Sequence, residues 1–154
     1  MLVRWLIAAL HLLAYGFALA SILRRTWSLR RASVPAALRS VFRADTHWGI
    51  SALVLIVTGL MRVFGGFEKG ADYYLHEPLF HVKMTLLVAI LILEVPSMLG
   101  LMRWRASIRK GAAPDLKKAR TYARFNVIQT VLLALMVFAA AGMARGIGLP
   151  AGAV

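Results

Sequence analysis

The sequence predicts an all-α fold, a polytopic membrane protein built as a single domain from one four-transmembrane-helix bundle, and three observations carry that prediction. Four apolar stretches, about residues 5–23, 48–63, 79–102 and 127–144, are each near the roughly 20 residues that cross about 30 Å of hydrocarbon as a helix. Hydrophobic residues make up 60% of the chain, which leaves too little polar surface for a soluble globule of this size. The three connections between the stretches alternate in charge. Inside a bilayer the backbone must satisfy its own hydrogen bonds, and the absence of period-two alternation excludes a β-barrel.

The first stretch, Trp5–Leu23, leads into a connection with Arg24, Arg25, Arg30, Arg31, Arg39 and Arg43 against Asp45 alone. Between the second and third stretches, Gly65–Pro78 is acidic, with Glu68, Asp72 and Glu77 against Lys69. The third connection, Arg103–Arg124, is again basic, with Asp115 as its single acid. Basic short loops stay on the cytoplasmic side, so the first and third connections are expected inside and the second connection and both termini outside. Ala18-Leu19-Ala20 fits a small-x-small cleavage pattern, but a cleaved signal peptide would translocate the arginines that follow it; the first helix is therefore expected to be retained.

The net charge of +13 is accounted for by these connections, which are expected to meet the lipid bilayer and its anionic lipid headgroups. No nucleic-acid motif accompanies the charge, and no nucleic-acid partner is expected. Zero cysteines exclude disulfides, thiolate metal sites and thiol catalysis. Ser33 followed by Pro35 reads as a helix start, and Leu38, Val41 and Phe42 continue at helical spacing toward Trp48, as an amphipathic segment in the inner interface before the second span. Pro114-Asp115 before Leu116–Phe125 suggests the same device before the fourth.

Ionisable residues inside the spans are the first place to look for chemistry, because each costs on the order of 3 kcal/mol at mid-bilayer. Glu94 lies deep in the third stretch, two residues before Pro96. Lys83 lies on the same helical face about 16 Å away, too far to pair with it directly. The stripe Lys83-Leu87-Ile90-Glu94 is expected to face the bundle interior, with Glu94 bonded to Gln129 or Thr130. His11 stands alone in the first stretch, with Tyr15 one turn deeper. His76, His81 and the methionines Met61, Met84 and Met143 gather toward the same outer end. At the inner end Trp48 reads as an interfacial anchor, and Asp45 and His47 as hydrogen-bonding groups. Gly16-x3-Ala20 and Gly142-x3-Gly146 have the spacing of close helix contacts, within one chain or between copies in a homo-oligomer.

In order along the chain, Arg4-Trp5, Leu10-His11-Leu12-Leu13, Ala44-Asp45-x2-Trp48-Gly49, Gly59-Leu60-x-Arg62-x2-Gly65-Gly66-x-Glu68-Lys69-Gly70-x2-Tyr73-Tyr74-Leu75-His76-x-Pro78-Leu79-Phe80, Lys83-Met84 and Met143-Ala144-Arg145-Gly146 resemble the bacterial four-helix inner-membrane proteins catalogued as domain of unknown function 2214. That resemblance covers essentially the whole chain and implies no activity. More distantly, a histidine in the first helix with His81-x-Lys83 opening the third is similar to HemJ-type protoporphyrinogen oxidases and CopD-like copper-resistance membrane proteins. The former likeness implies a haem-ligating His11 and an essential Lys83. The signature that follows the histidine in the HemJ-type family has no counterpart in Ala14–Arg25.

Three function classes follow. One is a haem-b protein with a redox role, His11 ligating iron, His81 available as a second axial group, and Lys83 or Arg62 pairing with a propionate. A second handles copper through His11, His76, His81 and the outer methionines. The third is a cofactor-free structural or accessory subunit. No Walker loop, dinucleotide fingerprint, HExxH or hydrolase elbow is present, so no reaction is assigned by motif.

Overall fold

A computed structural model describes residues 1–32, 35–66 and 70–147. These form α1 (Leu2–Arg30), α2 (Pro35–Phe64), a short α3 (Ala71–His76), α4 (Pro78–Arg109) and α5 (Ala119–Ala144), with no strand among the described residues. All but α3 are long and apolar enough to cross a membrane. The helices run up and down. α1 packs on α2 and on α5, and α5 packs on α4. One end of the bundle therefore carries the two basic connections, and the other carries α3.

Helices are longer than the apolar stretches that announced them. At 1.5 Å per residue, α1, α2 and α4 run roughly 44–48 Å, well past a hydrocarbon layer of about 30 Å. The excess lies mainly at the basic end, where Arg24, Arg25, Arg30, Arg39 and Arg43 are helical residues and not part of a loop. The helix expected from Pro35 toward Trp48 is present, and the one expected over Leu116–Phe125 begins at Ala119, but neither is separate from its span. α2 is unbroken from Pro35, and its apolar face meets protein: Leu38 and Val41 are buried with Leu29, Leu101, Trp104 and Tyr122, with Phe42 and Leu116 packed against them. Ser33 lies outside the described residues.

A second apolar cluster, Ala18, Ile22, Trp48, Ile90, Leu133 and Met136, fills the middle of the bundle. α4 and α5 approach closely along their length. A Cβ at Gly100 would overlap the Tyr122 ring, and one at Gly142 would come within 2.7 Å of Leu79 Cδ1. Both helices end alike, in a glycine with positive φ. Gly111 (φ 73°) lets Ala112 N–H reach Ser107 O at 3.0 Å, and Gly146 (φ 69°) lets Ile147 N–H reach Gly142 O at 3.0 Å. These are Schellman caps, which only glycine enters without strain. The small pair Gly16 and Ala20 instead lies on the exposed face of α1, with nothing near Gly16.

Candidate functional site

Two polar centres lie in the bundle, one toward each end. The first is built on Arg25. Residues Ile7, Ala14, Ala18, Ile22, Arg25 and Leu29 form the buried stripe of α1, so helical periodicity turns Arg25 inward while Arg24 stays exposed. The Arg25 side chain is completely buried and reaches three other helices. Its Nη1 donates to Glu94 Oε1 at 2.7 Å and to Asp45 Oδ1 at 2.9 Å; its Nη2 donates to Glu94 Oε2 at 2.6 Å and to Asn126 Oδ1 at 2.9 Å. Gln129 Nε2 donates to Glu94 Oε2 at 2.9 Å and to Ile90 O at 3.1 Å. The guanidinium also stands 5.5 Å over the Trp48 ring.

Arg105, on α4, closes the centre from the basic end. Its Nη2 donates to Asp45 Oδ2 at 2.9 Å and to Phe42 O at 3.0 Å. Two guanidinium groups thus face two carboxylates, and the formal charges sum to zero. That balance matters, because an unpaired charge at this depth carries a desolvation cost of several kcal/mol.

Several expectations are corrected here. Glu94 has its Gln129 partner, but its main partner is Arg25, which the sequence had placed in the first connection. Thr130 Oγ1 donates to Asn126 O and does not reach Glu94. Trp48 is buried beneath Arg25 and is not an interfacial anchor, while His47 is exposed.

The second centre surrounds His11 near the opposite end. Thr58 Oγ1 donates its one proton to Val54 O at 2.6 Å, so its 2.7 Å contact with His11 Nδ1 is a bond that the imidazole donates. A neutral His11 then carries its lone pair on Nε2. Beside it lies a cavity of about 200 Å³ whose lining includes His11, Arg62, Tyr73, Tyr74, Lys83 and Met143. One turn deeper, the Tyr15 hydroxyl donates to Leu133 O, tying α1 to α5.

His11, Arg62 and Lys83 therefore converge, as the haem reading requires. His81 does not join them. It is exposed, its Nδ1 donates to Glu77 O at 3.1 Å, and it is not part of the cavity wall. His76 is also on the surface, bonded to Asp72 O at 2.8 Å. Among the described residues no three His, Cys, Asp or Glu side chains gather as a metal site, so the histidines of the copper reading are dispersed. The donor set suits haem b, with an imidazole anchored through Nδ1 and two cations for propionates. The space does not. A volume of about 200 Å³ is below the roughly 300 Å³ at which pockets for drug-sized ligands begin.

Glu77 escaped the sequence reading as anything but a loop charge. It lies at the α3–α4 junction, fully buried, and its carboxylate has no hydrogen-bond partner among the described residues.

No curated protein and no solved structure matches the chain, and the distant likenesses to HemJ-type and CopD-like proteins gain no support from these comparisons. Residues 3–148 match the family described as "Predicted membrane protein (DUF2214)", in accord with the four apolar helices. The chain belongs to this family of membrane proteins, domain of unknown function 2214.

Proposed function

We propose that this protein is a cofactor-free structural or accessory component of the bacterial inner membrane, with α3 and both termini in the periplasm. The alternation of basic, acidic and basic connections supports that orientation. The observation that carries the role is what the buried polar side chains do. Arg25 alone joins α1 to α2, α4 and α5; His11 joins α1 to α2; Tyr15 joins α1 to α5. Each of these bonds ties one helix to another. The apolar layer of Ala18, Ile22, Trp48, Ile90, Leu133 and Met136 lies between the Arg25 centre and the cavity, which argues against one polar route through the bundle.

The protein extracted from its native membrane in mild detergent is expected to be colourless, to hold no stoichiometric metal, and to migrate with a second protein in an assembly of defined mass. A Soret band, or migration as a lone chain, overturns this reading.

A second reading, haem b in the cavity, is favoured by the convergence of His11, Arg62 and Lys83. It requires the cavity to widen. Soret absorbance under haem-sufficient expression that disappears in His11→Ala, with membrane insertion intact, would replace the first reading with this one.

A further inference from the structure

At the basic end, on the outer surface of α1 and α2, an open groove of about 470 Å³ is lined by Leu23, Arg24, Trp27, Ser28 and Arg31 of α1 and by Ala37 and Ser40 of α2. It begins where the first apolar stretch stops. Leu23 is the last residue of that stretch and Arg24 the first cation beyond it, so the groove straddles the boundary between hydrocarbon and headgroups whichever way the chain is oriented. Trp27 is 63% exposed at this level, as aromatic rings are at a membrane interface. The Arg31 guanidinium is held 4.9 Å over the Trp27 ring, which fixes one cation at the groove wall. Ser28 Oγ donates to Ser40 Oγ at 2.9 Å, placing both hydroxyls in the wall between the two helices.

Among the described residues no carboxylate lines this groove, and neither Arg24 nor Arg31 forms an ion pair. This sets it apart from the Arg25 centre one residue away, where each cation has its anion. The geometry points to a binding site for the phosphate of an anionic glycerophospholipid: Arg24 and Arg31 hold the phosphate oxygens, Ser40, which accepts from Ser28, donates its own hydroxyl proton to the phosphate, and an acyl chain descends past Leu23. Arginine suits a phosphate because its planar fork presents two parallel N–H donors. The diffuse attraction expected between basic connections and anionic lipid is thereby narrowed to one groove.

The full chain in nanodiscs of equal parts phosphatidylglycerol and phosphatidylcholine, released and examined by native mass spectrometry, tests this. Wild type is expected to retain phosphatidylglycerol over phosphatidylcholine. The Arg24→Ala/Arg31→Ala variant should lose that preference by at least about tenfold, since each interfacial arginine contributes about fivefold. Both side chains are exposed, and unchanged helicity would confirm that the variant folds. Arg109→Ala/Lys110→Ala, which removes two cations outside the groove, should retain the preference. Equal retention of the two lipids, or equal loss in both double variants, overturns the site. Millimolar inorganic phosphate should leave the lipid bound; its binding at the groove with no lipid preference would identify a free-phosphate site and overturn the lipid assignment.

Discussion

Arg25 and Glu94 meet in a two-pronged pair, Nη1 to Oε1 at 2.7 Å and Nη2 to Oε2 at 2.6 Å, across 69 residues of sequence. Removing one member of a buried pair leaves the other uncompensated, at about 3–5 kcal/mol. Arg25→Met is therefore expected to lower the unfolding midpoint in detergent sharply. Arg25→Lys should rescue it poorly, because an ammonium cannot reproduce the fork. In Arg25→Met/Glu94→Leu, Asp45 still has Arg105, so the double variant should be more stable than the sum of the single losses implies. Additive losses, measured by denaturant titration in micelles, would contradict the pairing.

Two glycines should respond oppositely to alanine. Gly100 lies under Tyr122, so Gly100→Ala must push α5 away from α4 and should cost about 1–3 kcal/mol. Gly16 has nothing within 4 Å, and Gly16→Ala should be neutral or stabilise α1 by about 0.5–1 kcal/mol. Thermal melts of the two variants in one detergent compare them directly.

Glu77 is buried without a hydrogen-bond partner among the described residues, an arrangement that costs stability. Glu77→Leu is expected to raise the unfolding midpoint, by about 1–3 kcal/mol if the full penalty of an unsatisfied polar group is relieved. A lower midpoint would mean that the carboxylate contributes favourably where it stands.

Orientation is checked by reporter fusions. Fusions after Arg31 and Lys118 should report a cytoplasmic location and a fusion after Asp72 a periplasmic one; the reverse pattern would invert the proposed topology.

How far the fold could be read from residues alone depended on what each signal measures. Apolar runs report the hydrocarbon layer, so they gave the number of spans but stopped short of the helices, which continue as a bundle beyond it. Arg25 was missed for this reason. Standing beside Arg24 and close to Arg30 and Arg31, it reads as one more loop cation. The overlooked signal was spacing: Ala14, Ala18, Ile22, Arg25 and Leu29 advance by four, four, three and four, so Arg25 continues the inward stripe. Glu94 and Gln129 were legible because a polar residue in an apolar run needs a partner. His11, Arg62 and Lys83 line one cavity, whereas His81, close to Lys83 in sequence, is exposed and no part of its wall. A ring nitrogen of His11 is expected to donate to a backbone carbonyl or to a side chain on the second or fourth span, and Thr58 of the second is that side chain; it was not singled out because a threonine in a span usually bonds its own helix, and this one does so while also accepting from His11.

The charge pattern of the Arg25 centre bears on how the protein is made. The chain reads as two hairpins, α1 with α2 and α4 with α5, and each brings one cation and one anion to the centre: Arg25 and Asp45 from the first, Arg105 and Glu94 from the second. Each hairpin thus brings a net-neutral pair of charges to the centre. When the halves dock, Arg25 gains Glu94 and Asp45 gains Arg105, so the crossed pairs act as a latch that only correct assembly closes. The two halves, expressed as separate polypeptides, are expected to insert independently and to associate in the membrane, and Glu94→Ala in the second half should abolish their association without preventing insertion.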